Sequence, residues 1–433
     1  MGANEFVRDL AAFVAALDAT KVPAATLDAA RLHALDSVAA IHAGGKTSEG
    51  ALATGVFGRL MPHGGVSAEA AQLCVSGRLT ECDDIDLWSC TTPGTVVLPV
   101  VLAATALGSV SSKTFTEAIV AGYQVMAGFG GAANGPSIVY GARWPTYLGG
   151  ALTAAATLGK IIGLSEQRLL HALAIAASMT TGIAGRISME PTSRWLTLGN
   201  AVQAGMTAAI AAADGMQGDE AIFSACFELE PERLGEWKNQ SPALDRVGLK
   251  PYHSSRQALA TTDAFVSLLR DEAIDGAAID EIGVLCQGQY CAMIDRSKAP
   301  KSKGETRAIR YQLALAAFYP NELFDIERHA LHTAEPRFAR LMNHVTVTPS
   351  EALTALYPRV WGGSIQIKTA RKTFEREVLH PRGDVENPLS WADIEAKWTA
   401  IFGFVPATLS IGALAGLVRS GDGAGLRSAL LGS

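Results

Sequence analysis

The chain has 433 residues, 48% of them apolar and only 18% charged, with 43 glycines and a formal net charge of −6. That length allows two or more domains with sizeable cores, and the composition excludes a disordered or low-complexity protein. With an acidic balance and no long basic run, the chain lacks the electrostatic footprint of a nucleic-acid-binding protein.

The amino terminus lacks the basic-then-apolar pattern of a signal peptide. Residues 4–17 space their apolar side chains at helical intervals and predict a first helix. Residues 23–42 predict a second, with Thr26 as N-cap for the run 27–41. Residues 51–60 read as helical, and Gly64-Gly65 breaks the chain before 67–77. The stretch that follows gathers Glu81, Asp83, Asp84 and Asp86 into six positions. A turn-prone segment (89–94) comes next, then an apolar run (95–107) that predicts a buried helix. Four carboxylates this close repel one another on an open surface. Beside a buried helix start they acquire perturbed pKa values, a mark of functional sites. A solvated acidic turn capping the next helix uses the same residue types, so spacing alone leaves both readings open.

Residues 115–126 predict another helix, and the glycine-rich 128–141 a loop or helix end. Residues 146–164 are small and apolar, and Ser165 caps a further helix at 166–179. Residues 201–213 form one more small-residue helix. So many Ala and Gly positions let helices approach closely, which predicts a tightly packed all-helical domain. Residues 249–257, L-K-P-Y-H-S-S-R-Q, then place Lys250, Tyr252, His253, Ser254, Ser255 and Arg256 together. Lys250 precedes a proline and is biased toward extended backbone, so this cluster sits on a loop before a helix at 258–269. Arg256 at the head of that helix offers a bidentate carboxylate anchor. Ordinary capping by Ser254 or Ser255 is the alternative.

Composition changes after about residue 269. Residues 279–287, 344–348 and 363–369 alternate as strands, 298–305 is a polar loop, and 307–319 is a helix carrying Tyr311. His380-Pro381-Arg382-Gly383 is a turn before a helix at 391–401. The domains expected are therefore an all-helical one, 1–269 with 403–433, and a smaller α+β one, 270–402. The six cysteines form no C-x-x-C pair and no zinc spacing with histidines, as buried thiols of a reducing cytoplasm would. No uninterrupted apolar stretch reaches membrane-spanning length. P-loop, dinucleotide and metal-ligand spacings are absent from the sequence, so no metal or cofactor is expected.

Taken in order, Ser76-Gly77, Glu81, Asp84-Ile85-Asp86, Thr92-Pro93-Gly94 and K-P-Y-H-S-S-R at 250–256 resemble the MmgE/PrpD family over nearly the whole chain. That family includes 2-methylcitrate dehydratase, cis-aconitate decarboxylase and iminodisuccinate epimerase. Its members carry N-G-x-x-A-H-x-x-D-F-D-D, H-P-G-x-x-V-x-P and K-P-Y-P-C-C-R. The resemblance implies a mainly α fold: a large helical domain holding both chain ends plus a smaller α+β domain. It implies a homodimer, formed here through the helical domain about a two-fold axis. It also implies a cofactor-independent lyase or isomerase, a dehydratase, decarboxylase or epimerase. Such an enzyme takes a proton beside a carboxylate and stabilises the enolate or carbanion.

Carried over residue by residue, Asp84 and Asp86 match the acidic motif and orient a Lys or Tyr, shuttle a proton, or fix the loop. Lys250 acts as base or binds carboxylate. His253 stands where many relatives have proline, as acid, base or helix-start residue. Tyr311, in A-I-R-Y, is similar to the tyrosine of the family's S-x-x-Y-x-x-A and donates to an enolate oxygen. Arg194 replaces a family lysine and keeps its carboxylate-binding charge. Arg256 and Arg143 join it in binding substrate, with Thr92, Trp144 and Glu81. These last three depart from the family, since each replaces a histidine. Their loss argues against citrate-type dehydration and leaves a degenerate carboxylate-binding member as the alternative. Trp144 implies a substrate with an aromatic or alkyl part.

Overall fold

The computed structural model describes residues 1–141, 143–180, 182–183, 192–295 and 307–432, excluding the side chains of 62–64. The polar loop expected at 298–305 lies outside the described residues. The chain forms two compact units, Met1–Val247 with Ala407–Ser433, and Gly248–Pro406.

In the first unit the helices are α1 (Ala3–Ala16), α2 (Ala24–Gly44), α3 (Ser48–Arg78), α4 (Gly94–Ala104), α5 (Ser112–Ala132), α6 (Gly135–Ile138), α7 (Pro145–Ile161), α8 (Glu166–Ser178) and α9 (Ser193–Ala213). The short strand β1 (Asp84–Asp86) interrupts them between α3 and α4. Every residue of α4 is buried. Its Val96, Val100 and Ala103 pack with Tyr147 and Leu158 of α7 and Leu198 and Val202 of α9. Gly65 breaks α3 with a left-handed φ of 53°, where glycine carries no Cβ penalty. Helix α2 starts at Ala24 with Pro23 as its cap residue. Thr26 therefore lies inside the first turn, buried, its hydroxyl without a hydrogen-bond partner among the described residues, and is not the N-cap. Helix α9 begins eight residues before the expected 201, so Arg194 and Trp195 stand on its first turn.

Helix α5 continues to Ala132, into the glycine-rich stretch, instead of ending at 126. A Cβ on Gly131 would lie 1.8 Å from the Trp88 ring. The glycines are spent on close approach of the loop that follows β1, not on ending the helix.

The carboxyl-terminal helices Ile411–Ser420 and Gly423–Leu431 belong to the first unit. His42 of α2 accepts the N–H groups of Thr408 (3.2 Å) and Leu409 (3.4 Å) where the tail returns. Arg427 grips both oxygens of Glu69 on α3 at 2.6 and 2.7 Å. Among the described residues, α9 alone is long and apolar enough to cross a membrane, and half of that stretch is buried inside the protein. It packs on α3, α7 and α8.

After α9 come α10 (Ile222–Cys226), α11 (Pro231–Glu236) and β2 (Val247–Leu249), where the chain passes from the first unit to the second. The second unit holds α12 (Arg256–Asp271), β3 (Ile279–Cys286), α13 (Gly288–Ile294), α14 (Ile309–Phe318), α15 (Pro336–Asn343), β4 (Val345–Pro349), α16 (Glu351–Leu356), β5 (Gly363–Thr369), β6 (Thr373–Val378) and α17 (Trp391–Phe402). The chain ends with α18 (Ile411–Ser420) and α19 (Gly423–Leu431). Its sheet has the order β4-β3-β5-β6, with β3 parallel to β4 and antiparallel to β5, and β5 antiparallel to β6. Ile282, Val284 and Cys286 of β3 face the core in alternation, as the period-2 pattern requires. The boundary falls at Val247, not near residue 269. Helix α12 packs on β5, β6 and α14, and Leu249 N–H bonds to the Gly383 carbonyl at 2.8 Å. Both hold 248–269 in the α+β unit.

Candidate functional site

Residues 79–93, between α3 and α4, are buried except at Leu87 and Trp88, which are half-buried. The acidic cluster is therefore not a solvated turn. A buried carboxylate needs partners to offset lost hydration, and each has them. Asp84, 1% exposed, accepts the Gly94 N–H at 3.1 and 3.2 Å and the Tyr123 hydroxyl at 2.6 Å. His33 Nδ1 stands 3.4 Å away. Burial, reinforced by the Asp84 charge, pushes the Tyr123 phenol well above its usual pKa, so it remains a donor. A Cβ on Gly94 would sit 2.3 Å from Ser37 Oγ and 2.8 Å from the Tyr123 hydroxyl. The Thr92-Pro93-Gly94 turn needs its glycine for this reason.

Asp86 closes the adjoining loop. Its Oδ2 accepts the Ser89 hydroxyl at 2.6 Å, and its backbone exchanges hydrogen bonds with Thr91 at 2.8 and 3.3 Å. Arg246 lies 3.6 Å from it. Both aspartates thus shape the loop, and Asp84 also orients a tyrosine. Thr92 belongs to a threonine cluster: its N–H donates to Thr146 Oγ1 at 3.0 Å, and its hydroxyl is 3.2 Å from that of Thr146 and 3.3 Å from that of Thr95.

A second cluster lies on the ends of α3, α7 and α9. Glu81, in the left-handed region at φ 51°, contacts Arg78 at 2.8 Å and accepts from Arg194 at 3.2 Å. Asp83 lies 3.5 Å from Arg78. Burial works against the Arg78 charge, but Asp83 and Glu81 outweigh it and raise its pKa. The Arg194 guanidinium stacks 3.9 Å over Trp195 and lies 5.7 Å from Trp144, a cation–π arrangement. On the first turn of α7, Tyr147 is 1% exposed, its ring 5.7 Å from that of Trp144. Among the described residues, neither the Tyr147 hydroxyl nor the Trp144 indole N–H has a hydrogen-bond partner, and both atoms are buried. Burial pushes Tyr147 up to about 12, against the pull of Arg78 and Arg194.

Sequence reasoning missed Tyr147. Its one signal is position: it follows Trp144 by three residues in W-P-T-Y and so shares its side of the helix. Arg143 does not join the cluster. It is exposed and pairs through its backbone with Ile183.

A family model described as the MmgE/PrpD N-terminal domain matches residues 8–228, and the MmgE/PrpD C-terminal domain model matches residues 252–408. The chain belongs to the MmgE/PrpD family. Membership places it among enzymes of the dehydratase and lyase type that act on carboxylates. No curated protein matches it. The acidic loop and the Arg194–Tyr147 cluster both lie inside the N-terminal match.

The remaining motif residues lie in the second unit. Lys250 and His253 are buried, at 3% and 4% exposure, on the loop before α12. Arg256, expected as a ligand anchor from its place at a helix start, is engaged inside the protein. It donates to both oxygens of Asp384 at 2.6 Å and to the Trp361 carbonyl at 3.4 Å. Its Nη2 is used inside the protein, against the 380–387 turn, while the buried Nε has no hydrogen-bond partner among the described residues. Tyr311 on α14 is fully buried, its ring 5.1 Å from Phe338 and its hydroxyl 3.4 Å from the Ala330 carbonyl. Among the described residues, one group could hold a metal ion, His380, Asp384 and Glu386, with ligand atoms within 4.8 Å of one another. Arg256 already occupies its Asp384.

Proposed function

We propose that this MmgE/PrpD protein is a lyase or isomerase that removes the proton beside a substrate carboxylate and holds the resulting enolate with buried donors. The observation that carries this reading is the unpartnered pair, Tyr147 hydroxyl and Trp144 N–H, beside Arg194. Each buried donor left unpaired costs about 1–3 kcal/mol, and such groups in a folded protein call for an explanation. A carboxylate or enolate oxygen accepts from both. At about pH 12 for its ionisation, Tyr147 is a neutral donor near pH 7, as an oxyanion-stabilising group must be. Arg194, held between Glu81 and Trp195, supplies a fixed positive charge that does not titrate. The aromatic walls of Trp144 and Trp195 favour a carboxylate carrying an aromatic or alkyl part over a tricarboxylate. Lys250, in the second unit, matches the family motif's lysine, and an acid–base role comes to it from that match alone.

The test is solvent exchange. Incubated in deuterated water with a panel of small aromatic, alkyl and citrate-like carboxylic acids, the protein is expected to introduce deuterium beside the carboxylate of at least one aromatic or alkyl acid. No exchange with any of them removes the reading. A second reading, a carboxylate-binding protein without turnover, is favoured by Glu81, Thr92 and Trp144 standing where the family motifs carry histidine, which removes three proton-transfer groups and leaves binding groups. It predicts thermal stabilisation by a carboxylate with no exchange.

A further inference from the structure

In the second unit, one histidine closes the segment that follows α14. His332 Nδ1 lies 2.7 Å from Glu335 Oε1, and Nε2 lies 2.8 Å from Glu322 Oε2. A neutral imidazole has a single N–H and an ionised carboxylate only accepts, so both contacts are hydrogen bonds only when the ring is an imidazolium. Tyr319 lies flat on that ring, centroids 3.9 Å apart and planes 12° apart. Its hydroxyl donates to Glu335 at 2.8 Å and accepts from Arg337 at 2.8 Å. Phe338 packs against the same ring at 5.5 Å.

Glu322 and His332 thus bracket a loop with its own internal constraints. Asp325, 1% exposed, accepts the N–H groups of Glu327, Arg328 and His329 at 3.0, 2.9 and 2.8 Å. Arg328 sits in the left-handed region at φ 52°, which is strained for a non-glycine residue. Its guanidinium donates to the Glu322 carbonyl. The Ala330 carbonyl faces the Tyr311 hydroxyl. Burial raises the Tyr311 pKa, and the Arg328 charge pulls it back.

We propose that His332 is a positioning residue: as an imidazolium bridging Glu322 and Glu335, it holds the 322–332 loop that sets Arg328 and Ala330 against Tyr311. The inference rests on the reading of Tyr311 as a working residue of this enzyme. The charged and titratable groups around the clamp are Tyr319 at the end of α14, Glu322 in the turn Pro320–Phe324, Asp325, Glu327, Arg328 and His329 in the loop, and Glu335, Arg337 and Arg340 at α15. Burial disfavours the charged ring, but Glu322 and Glu335 outweigh it and raise the His332 pKa. A raised folded-state pKa means that the clamp's stabilisation is complete below the unfolded value of about 6.5. It is lost as pH rises through the folded value.

Two readouts that need no substrate test this. In wild-type protein, amide protection of 322–332, corrected for intrinsic exchange, is expected to fall between roughly pH 6 and pH 9. With 3-fluorotyrosine incorporated, the ¹⁹F resonance of Tyr311, assigned through Tyr311→Phe, should move with the same midpoint. In His332→Gln both readouts should be independent of pH. Glu322→Gln, which keeps the histidine, should lower the midpoint. A wild-type loop whose protection is flat across this range, or a His332→Gln variant with the wild-type response, overturns the clamp. A loop that responds while the Tyr311 resonance stays fixed overturns the positioning role. Wild-type turnover in Tyr311→Phe would instead remove Tyr311 from the working residues, and the exchange measurement would still report on the clamp.

Discussion

Replacing Lys250 by alanine is expected to lower turnover at least about 100-fold, the scale of losing a positioned acid–base group. Lys250 is 3% exposed. It follows a strand residue whose N–H is fixed to the Gly383 carbonyl at 2.8 Å, and it precedes Pro251, which restricts its backbone. A lysine held this way loses little freedom when it acts. Removing the side chain also disturbs packing, so Lys250→Met, which fills most of the volume without the amine, is the companion variant. Both should lose turnover, and Lys250→Met should keep a denaturation midpoint near wild type. Thr92→Ala should be much milder, because its hydroxyl exchanges hydrogen bonds with Thr146 and Thr95 and does no proton transfer at neutral pH. An active Lys250→Ala beside an inactive Thr92→Ala would mean that the family's roles do not carry over to these positions.

Replacing Asp84 by alanine is expected to destabilise the first unit by about 3 kcal/mol or more. Its carboxylate is the acceptor for the Gly94 N–H and the Tyr123 hydroxyl, both buried. Each donor stranded without an acceptor costs about 1–3 kcal/mol. The turn cannot relax easily, because Gly94 lies against Ser37 and Tyr123 with no room for even a Cβ. Chemical denaturation followed by circular dichroism measures this. A midpoint equal to wild type would mean that the acidic loop is not held by Asp84.

The helical architecture was legible because Ala- and Gly-rich helices and apolar periodicity are local properties of the chain. What failed were features set by distant partners. The stretch with Gly128, Gly130 and Gly131 read as a loop or helix end because glycine is a poor helix former, yet α5 continues to Ala132 and Trp88 needs the space at Gly131. Residues 256–269 show a helical pattern that either unit could have accepted, and only their packing on β5 and β6 assigns them. Arg256 does hold a carboxylate, through Nη2 alone, and that carboxylate is Asp384, 128 positions along the chain. The acidic cluster was visible at once, whereas the pairing of Glu81 with Arg194 spans 113 positions. Tyr147 was invisible because a tyrosine in an apolar helix reads as core. What marks it is the missing hydrogen-bond partner, which no sequence pattern records.

That missing partner makes Tyr147→Phe the most direct test of a carboxylate site around Arg194. The substitution deletes one buried oxygen that has no hydrogen-bond partner among the described residues, so it should leave the denaturation midpoint unchanged or raise it. Deuterium exchange beside the substrate carboxylate should fall at least about 10-fold, because a donor aimed at developing charge acts in the transition state. Stability retained with exchange lost is the result predicted. Exchange at the wild-type rate, or a large loss of stability, would contradict it.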